Sequence, residues 1–312
     1  MRVVTFGYQT WGHRTLQAVL AGGHEVPLAV THPPSNNPYE QMWSDSVAEL
    51  ATAHGIPVYE ARRPDEALIN AVREAKPDVI VANNWRTWLP PEIYDAPPHG
   101  TLNVHDSLLP EYAGFSPVMW ALLNRETHVG VTVHRMDETL DAGPIVAQQA
   151  VPVGPNDTTT DLFHATVALI EPLVTRALAD LAAGTLTATA QDPTRATYFH
   201  KRSEREAYLD FRACAADLEL QVRAHSDPYP NAYFNYRGQR LRVLRAHVSR
   251  SRFGGTPGRV TVPYEGGVAV VCGSAQRNAP APALILETLR LDDGREVAAT
   301  EILGDGGYID LP

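Results

Sequence analysis

Three residues whose types suit acyl transfer occur in one part of the sequence. Asn103 and His105 lie in Leu102-Asn103-Val104-His105-Asp106-Ser107-Leu108-Leu109-Pro110, and Asp141 lies in Leu140-Asp141-Ala142-Gly143-Pro144. A side-chain amide can donate a hydrogen bond to an oxygen that gains negative charge in a tetrahedral intermediate. An imidazole can carry a proton near neutral pH, and a carboxylate can orient it and favour its charged form. Acyl transfer to an amine requires these three groups together. Each residue alone has an ordinary reading: Asn103 as a strand-end cap, His105 as a satisfied half-buried histidine, Asp141 as a turn residue. Their joint spacing with Ser107-Leu108-Leu109-Pro110 and Gly143-Pro144 points to chemistry.

The elements that must position them can be read from patterning. Strand-like runs at Val3 to Tyr8, Glu25 to Thr31, Ile56 to Tyr59, Asp78 to Ala82 and Gly100 to Val104 alternate with helical spacing over Arg14 to Ala21, Ser44 to His54 and Glu66 to Ala75. Such alternation predicts a parallel sheet with helices on both faces. Ligands of these sheets bind beyond the carboxyl ends of the strands, where Asn103 and His105 fall. Val129 to Met136 and Pro144 to Val153 read as two more strands, and their connection carries Asp141. All three groups can therefore face one cleft.

Thr158 to Ala183 reads as one long helix, opened by Asn156-Asp157 and stopped by Gly184. Leu186 to Arg202 reads as an irregular linker. A helix at Ala215 to Ala224 follows, then a hairpin of Tyr233 to Tyr236 and Leu241 to Leu244 about Arg237-Gly238. Further strands at Gly267 to Cys272 and Ala283 to Leu291, with a turn at Asp292 to Arg295, suggest a small barrel. The expected organisation is a catalytic domain over 1–190, a linker over 191–204 and a second domain over 205–312.

Composition narrows the classes. The chain has 312 residues, 44% hydrophobic and 20% charged, as expected of a globular protein of two domains. No uninterrupted apolar run approaches a membrane span, and the Met1-Arg2-Val3-Val4 opening lacks signal-peptide architecture. Cys214 and Cys272 lack metal-ligand spacing, so a reduced cytoplasmic protein without a bound metal is expected. The net charge of -10 disfavours a broad nucleic-acid footprint. No GxGxxG fingerprint is present, which disfavours a dinucleotide.

Asn-x-His, then Ser-Leu-Leu-Pro, then a distant Asp-x-Gly-Pro resembles the folate-dependent formyltransferases. That family includes enzymes acting on glycinamide ribonucleotide, methionyl-tRNA and sugar nucleotides, and formyltetrahydrofolate hydrolase. The resemblance implies a Rossmann-like α/β formyltransferase domain with a mostly parallel sheet, followed by a small OB-like β-barrel. It implies 10-formyltetrahydrofolate as co-substrate and a small-molecule amine as acceptor. Asn103 would hold the developing oxyanion. His105 would donate to it and pass a proton to the leaving nitrogen. Asp141 would orient His105 and take up the amine proton. The loop Asn83 to Pro91 would grip the pterin through Thr87, Trp88 and Leu89, and Asp137, Glu138, Thr139 and Leu140 would close the other side.

Acceptor identity turns on finer likeness. Thr31-His32, Ser46-Val47-Ala48, Gly55 to Tyr59 and His134-Arg135-Met136 are similar to the formyltransferase of UDP-4-amino-4-deoxy-arabinose, and Asp227 to Phe234 resembles the segment that opens the C-terminal domain of that enzyme and of methionyl-tRNA formyltransferase. The arabinose enzyme has arginines where this chain has Ala113 and Phe115, so cations that would meet a phosphate are missing. The segment Thr31 to Glu40 contains no lysine or arginine, unlike the basic insertion of methionyl-tRNA formyltransferases. The opening Phe6 to Arg14 and the Asn84 to Pro90 loop look more like formyltransferases of siderophore pathways, which act on δ-N-hydroxyornithine. A hydroxylamine is largely unprotonated at neutral pH, which suits a nucleophile. Gln9, Trp11, Asp106 and Glu111 are the candidate partners of the acceptor. A nucleotide-linked amino sugar stands second, ahead of methionyl-tRNA and a hydrolase that releases formate. A non-catalytic binding module that uses the barrel ranks last. No membrane partner is expected, and a homodimer is compatible with the resemblance.

Overall fold

The computed structural model describes residues 1–38, 41–276 and 278–310. The last two residues of the lysine-free segment, Tyr39 and Glu40, lie outside them. By contact the chain forms two units, one of residues 1–154 and 161–201, the other of residues 155–160 and 202–312.

The first unit runs β1 (Val3–Gly7), α1 (Gln9–Ala21), β2 (Ala29–Thr31), α2 (Val47–Ala53), β3 (Val58–Glu60), α3 (Glu66–Ala75), β4 (Val79–Asn83), α4 (Pro91–Tyr94) and β5 (Thr101–His105). It continues with β6 (Ala113–Gly114), α5 (Pro117–Leu123), β7 (His128–Arg135), β8 (Ile145–Pro152), α6 (Thr159–Val167), α7 (Ile170–Ala182) and β9 (Tyr198–Phe199). Its main sheet has the order β3-β2-β1-β4-β5-β7-β8. β1 to β5 are parallel, and β7 and β8 join antiparallel. Every residue of β1 and β4 is buried, as strands covered on both faces must be. Leu16 and Val19 of α1 and Val174 and Leu178 of α7 cover one face, and Leu68 and Val72 of α3 cover the other.

Four differences from the sequence pattern have local causes. α1 begins at Gln9, ahead of the expected Arg14, although Gly12 reads as a helix breaker. A Cβ on Gly12 would sit 2.4 Å from the Gly7 backbone, so the glycine lets α1 lie against β1. β2 is confined to Ala29–Thr31 because Pro27 cannot donate to the ladder. α2 starts at Val47 because the Ser46 hydroxyl accepts from Glu49 N at 3.1 Å and caps it. The expected long helix is broken at Ala168-Leu169 into α6 and α7. Pro172 has no N–H for the Ala168 carbonyl, and its ring would clash with it. The Thr159–Ala182 stretch has 24 residues and is apolar enough to match a membrane span by composition, but just over half of its most apolar 18 residues are buried.

The second unit holds α8 (Ala215–Ala224), β10 (Tyr233–Tyr236), β11 (Gln239–Phe253), β12 (Arg259–Tyr264), β13 (Gly267–Val270), β14 (Ala281–Arg290), β15 (Glu296–Ala298), α9 (Ala299–Leu303) and β16 (Gly307–Tyr308). Antiparallel pairing in the order β10-β11-β14-β13-β12-β16 makes a nearly closed barrel. Phe234, Leu241, Val268, Leu284 and Leu286 fill it, with Leu218 of α8 packed in the same cluster. Arg237 and Gly238 both take positive φ, the turn that the hairpin between β10 and β11 demands.

Candidate active site

Side-chain alternation along β5 divides its residues between the two faces of the sheet. Leu102 and Val104 join the α1–α7 cluster, so Asn103 and His105 leave the opposite face. Antiparallel register sets His134 of β7 opposite Asn103, and Thr132 opposite His105. The β7–β8 connection delivers Asp141. It must pass close to β7, since a Cβ on Gly143 would lie 1.9 Å from the Arg135 carbonyl oxygen.

Asn103, His105 and Asp141 converge there. Asn103 Nδ2 is 3.4 Å from Asp141 Oδ1, and His105 Nδ1 is 3.8 Å from Asp141 Oδ2. The Gly114 N–H donates to Asp141 Oδ2 at 2.9 Å. His105 Nε2 is bonded to the Tyr112 carbonyl at 3.0 Å, so that nitrogen carries the proton and Nδ1 faces Asp141. The ring is thus oriented by a backbone carbonyl, where the sequence suggested Asp141. At 3.8 Å the carboxylate acts on His105 through charge.

His134 belongs to the same cluster and was not among the expected site residues. Its Nδ1 donates to the Arg135 carbonyl at 2.9 Å, which leaves a lone pair on Nε2, 3.1 Å from Asn103 Nδ2. Burial lowers its pKa, and the nearby Asp141 charge does not reverse this. Neutral His134 therefore fixes which end of the Asn103 amide is nitrogen. For His105, burial also pulls the pKa down. The charges of Asp141 and Asp106 and the Tyr112 carbonyl outweigh it, and the net shift is upward. One imidazole is kept neutral and its neighbour is made more basic. Sequence spacing could have found His134 only through the β5–β7 register.

The Ser107-Leu108-Leu109-Pro110 motif also has a structural account. Thr132 Oγ1 donates to the Ser107 carbonyl at 2.6 Å and accepts from Leu109 N at 3.2 Å. Gln148 Nε2 donates to the Leu109 carbonyl at 2.9 Å. The turn after His105 is thereby tied to β7 and β8.

Beside this centre, the loop after β4 mixes packed and open groups. Leu89 is buried in the α3 cluster, with Trp85 and Met136 packed against it. Trp85 stacks on His32 at 3.9 Å. Trp88 is 56% exposed and Leu140 41% exposed. Thr87 Oγ1 is buried with no hydrogen-bond partner from the protein, which is costly unless water or a ligand supplies one. Asp137 Oδ1 accepts from Thr139 N at 2.8 Å and shapes the turn that contains Glu138. An orphaned hydroxyl and two exposed apolar side chains suit a flat, partly polar ring. Leu89 could meet such a ring only through its backbone.

Two of the four acceptor candidates, Trp11 and Asp106, line one cavity, and Gln9 and Glu111 do not join them there. Gln9 is buried, and its Oε1 accepts from Arg86 Nη2 at 2.8 Å and Asn84 Nδ2 at 3.3 Å. Trp11 packs edge-on to Phe163. Trp11 and Asp106 line a small cavity with Val104 and Thr166, on the sheet face away from His105. Burial there pushes the Asp106 carboxyl up, against the opposing pull of His105. Glu111 is held at the surface by Arg195 at 2.7 Å. A separate cleft of about 260 Å³ opens at the carboxyl ends of β1 to β3, lined by Tyr8, Gln9, His32, Asp45, Ser46 and Glu60. Among the described residues, no three His, Cys, Asp or Glu side chains group as metal ligands.

Comparison with known proteins bears on these features. A family model described as formyl transferase matches residues 1–177, and one described as formyl transferase, C-terminal domain, matches residues 201–305. WlaRD, a sugar 3N-formyl transferase solved with dTDP and 5-N-formyl-THF, aligns with TM-score 0.66 and 16% identity over 92% of this chain and 97% of its own. An N-formyltransferase from Helicobacter canadensis, in complex with folinic acid and dTDP-3-aminofucose, aligns with TM-score 0.66 and 18% identity over 91% and 98%. HypX from Aquifex aeolicus, in complex with tetrahydrofolic acid, aligns with TM-score 0.62 and 19% identity over 98% of this chain and 47% of its own. The chain thus spans about half the length of HypX. At these identities the structural likeness shows the fold alone.

Proposed function

This chain belongs to the formyl transferase family, and from that premise we propose that it moves a formyl group from 10-formyltetrahydrofolate to the side-chain nitrogen of δ-N-hydroxyornithine. The observation that carries the formyl-transfer reading is the convergence of Asn103 and His105 on Asp141, at 3.4 and 3.8 Å, at the carboxyl end of β5.

The geometry supports a role for each group. The Asn103 amide hydrogen aimed at Asp141 makes only a long bond at 3.4 Å, so it is open to the formyl oxygen as negative charge develops there. The other amide hydrogen stays on His134. His105 keeps Nε2–H on the Tyr112 carbonyl and presents Nδ1 to the reacting centre. With its pKa raised, it can hold a proton at Nδ1 and release it to the leaving folate nitrogen. Asp141, held by the Gly114 N–H, takes the proton that the attacking nitrogen loses. The unpartnered Thr87 hydroxyl, the exposed Trp88 and Leu140, and the 137–140 turn would receive the pterin.

For the ammonium and carboxylate of the acceptor, the cleft at the ends of β1 to β3 is the favoured seat, from which the side chain would have to extend to Asn103, His105 and Asp141. Asp45 and Glu60 on its wall suit an ammonium group, and Arg86 beside Gln9 suits a carboxylate. A zwitterionic amino acid meets both. A nucleotide-linked amino sugar is the second reading, favoured by structural neighbours solved with dTDP or dTDP-3-aminofucose. An acceptor panel with mass-spectrometric detection of the formyl adduct decides between them. It should contain hydroxyornithine, ornithine, amino-sugar nucleotides and methionyl-tRNA. Formylation of a sugar nucleotide but not hydroxyornithine overturns the first reading. Folate turnover that needs no amine would make the protein a hydrolase.

A further inference from the structure

The segment that follows α7 carries little regular structure, yet it returns to the loop that bears Asp141. Gln191 uses both hydrogens of its side-chain amide there. Nε2 donates to the Asp141 carbonyl and to the Gly143 carbonyl, each at 2.8 Å. Ile145 and Thr189 exchange backbone hydrogen bonds at 2.8 Å beside it. Further on, β9 pairs with β6, with Ala113 N on the Thr197 carbonyl at 2.8 Å and Phe115 N on the Phe199 carbonyl at 3.0 Å. Gly114 of β6 supplies the N–H that holds Asp141 Oδ2. One stretch of chain therefore grips Asp141 twice, at its main chain through Gln191 and at its carboxylate through Gly114.

Asp141 needs such a grip. Its φ of 51° lies in the left-handed region, which is unfavourable for a residue with a Cβ. Two carbonyls on either side of Ala142 point at one amide group, and no other hydrogen bond to either is present among the described residues. Without Gln191 the backbone can relax out of the left-handed conformation, and the carboxylate would swing from Asn103 and His105.

We infer that Gln191 is a positioning residue for Asp141, setting from outside the reacting centre where the catalytic carboxylate lies. The inference rests on the formyl-transfer reading for its consequence in turnover, but not for the geometry it describes. It is tested in the full-length chain with Gln191→Met, which keeps bulk and removes the donors, and Gln191→Glu, which replaces the donor with an acceptor. Both should lower kcat about tenfold or more, with KM for folate and amine within about twofold and thermal stability little changed. His105 is followed in parallel by NMR titration, which needs no acceptor. Its midpoint should fall in Gln191→Met, which brings in no charge of its own, as the carboxylate moves away. An unmoved midpoint in Gln191→Met, or a kcat equal to the parent's in either variant, overturns the inference. Should the parent transfer no formyl group to any amine, the functional reading fails, while the His105 titration still decides whether Gln191 governs Asp141.

Discussion

Asn103 and His134 face each other across the β5–β7 pair, with 3.1 Å between Nδ2 and Nε2. Because His134 Nδ1 is committed to the Arg135 carbonyl, Nε2 can only accept, and the Asn103 amide cannot flip. An amide pointing its oxygen at a developing oxyanion would repel it. Asn103→Ala should lower turnover about a hundredfold or more, as loss of an oxyanion donor does elsewhere. His134→Ala, which frees the amide to rotate, should lower it about tenfold. If both act through one amide, the double variant will be no worse than Asn103→Ala alone. Steady-state kinetics on the four proteins test this, and additive losses would separate the two residues.

The pH dependence of turnover should report His105. Its raised pKa places the proton-donating form above the ordinary 6.5. Activity that needs this form is full below the raised pKa and declines as pH rises through it. In Asp141→Asn the opposing charge is gone and burial, the largest influence, is left against Asp106 and the Tyr112 carbonyl. The basic limb of kcat/KM should then move to lower pH, along with a large drop in its plateau. A limb that stays in place would assign the proton to another group.

Much of this site was legible in sequence because its residues are tied to strand ends. Asn103, His105 and Asp141 could be placed at one cleft from two apolar runs and one connection. His134 could not, because its role comes from register across β5 and β7, which patterning leaves open. Alternation did carry a warning about Asp106: it is one residue from His105, so its side chain leaves the other face of the sheet. Gln9 and Arg86 meet only because β1 and β4 are neighbours, a matter of strand order. In the second unit the hairpin at Arg237-Gly238 was readable from its turn. The short strands β12, β15 and β16 were not, since they are partly exposed and owe their form to neighbours.

Gly143 should be intolerant of any side chain. A Cβ there would overlap the Arg135 carbonyl oxygen, and that strand cannot retreat without disturbing His134 beside it. Gly143→Ala should therefore push the Asp141 loop outward and abolish most turnover, while the thermal midpoint of the chain drops only modestly because the loop lies at the sheet's end. Activity and differential scanning calorimetry measured on the same preparation check this. Near-parent turnover would mean that the loop can shift without cost to the site.

His225 offers a test in the second unit that does not depend on catalysis. Its side chain is fully buried, Nδ1 is bonded to the Gln221 carbonyl at 2.9 Å, and Nε2 has no hydrogen-bond partner. Burial lowers its pKa to about 4. The unfolded chain, with an ordinary value near 6.5, binds this proton more readily than the folded one between those limits. Stability from this group is therefore full above pH 6.5 and is lost as pH falls towards 4, by about 3 kcal/mol in all. All five tryptophans (Trp11, Trp43, Trp85, Trp88 and Trp120) lie in the first unit, so their fluorescence follows that unit and circular dichroism follows both. Urea unfolding by the two probes at pH 7 and pH 4.5 should show the second unit losing more stability in the parent than in His225→Gln. The carboxylates common to both proteins cancel in that comparison. Equal pH dependence in the two would mean that the buried imidazole finds a way to be protonated within the fold.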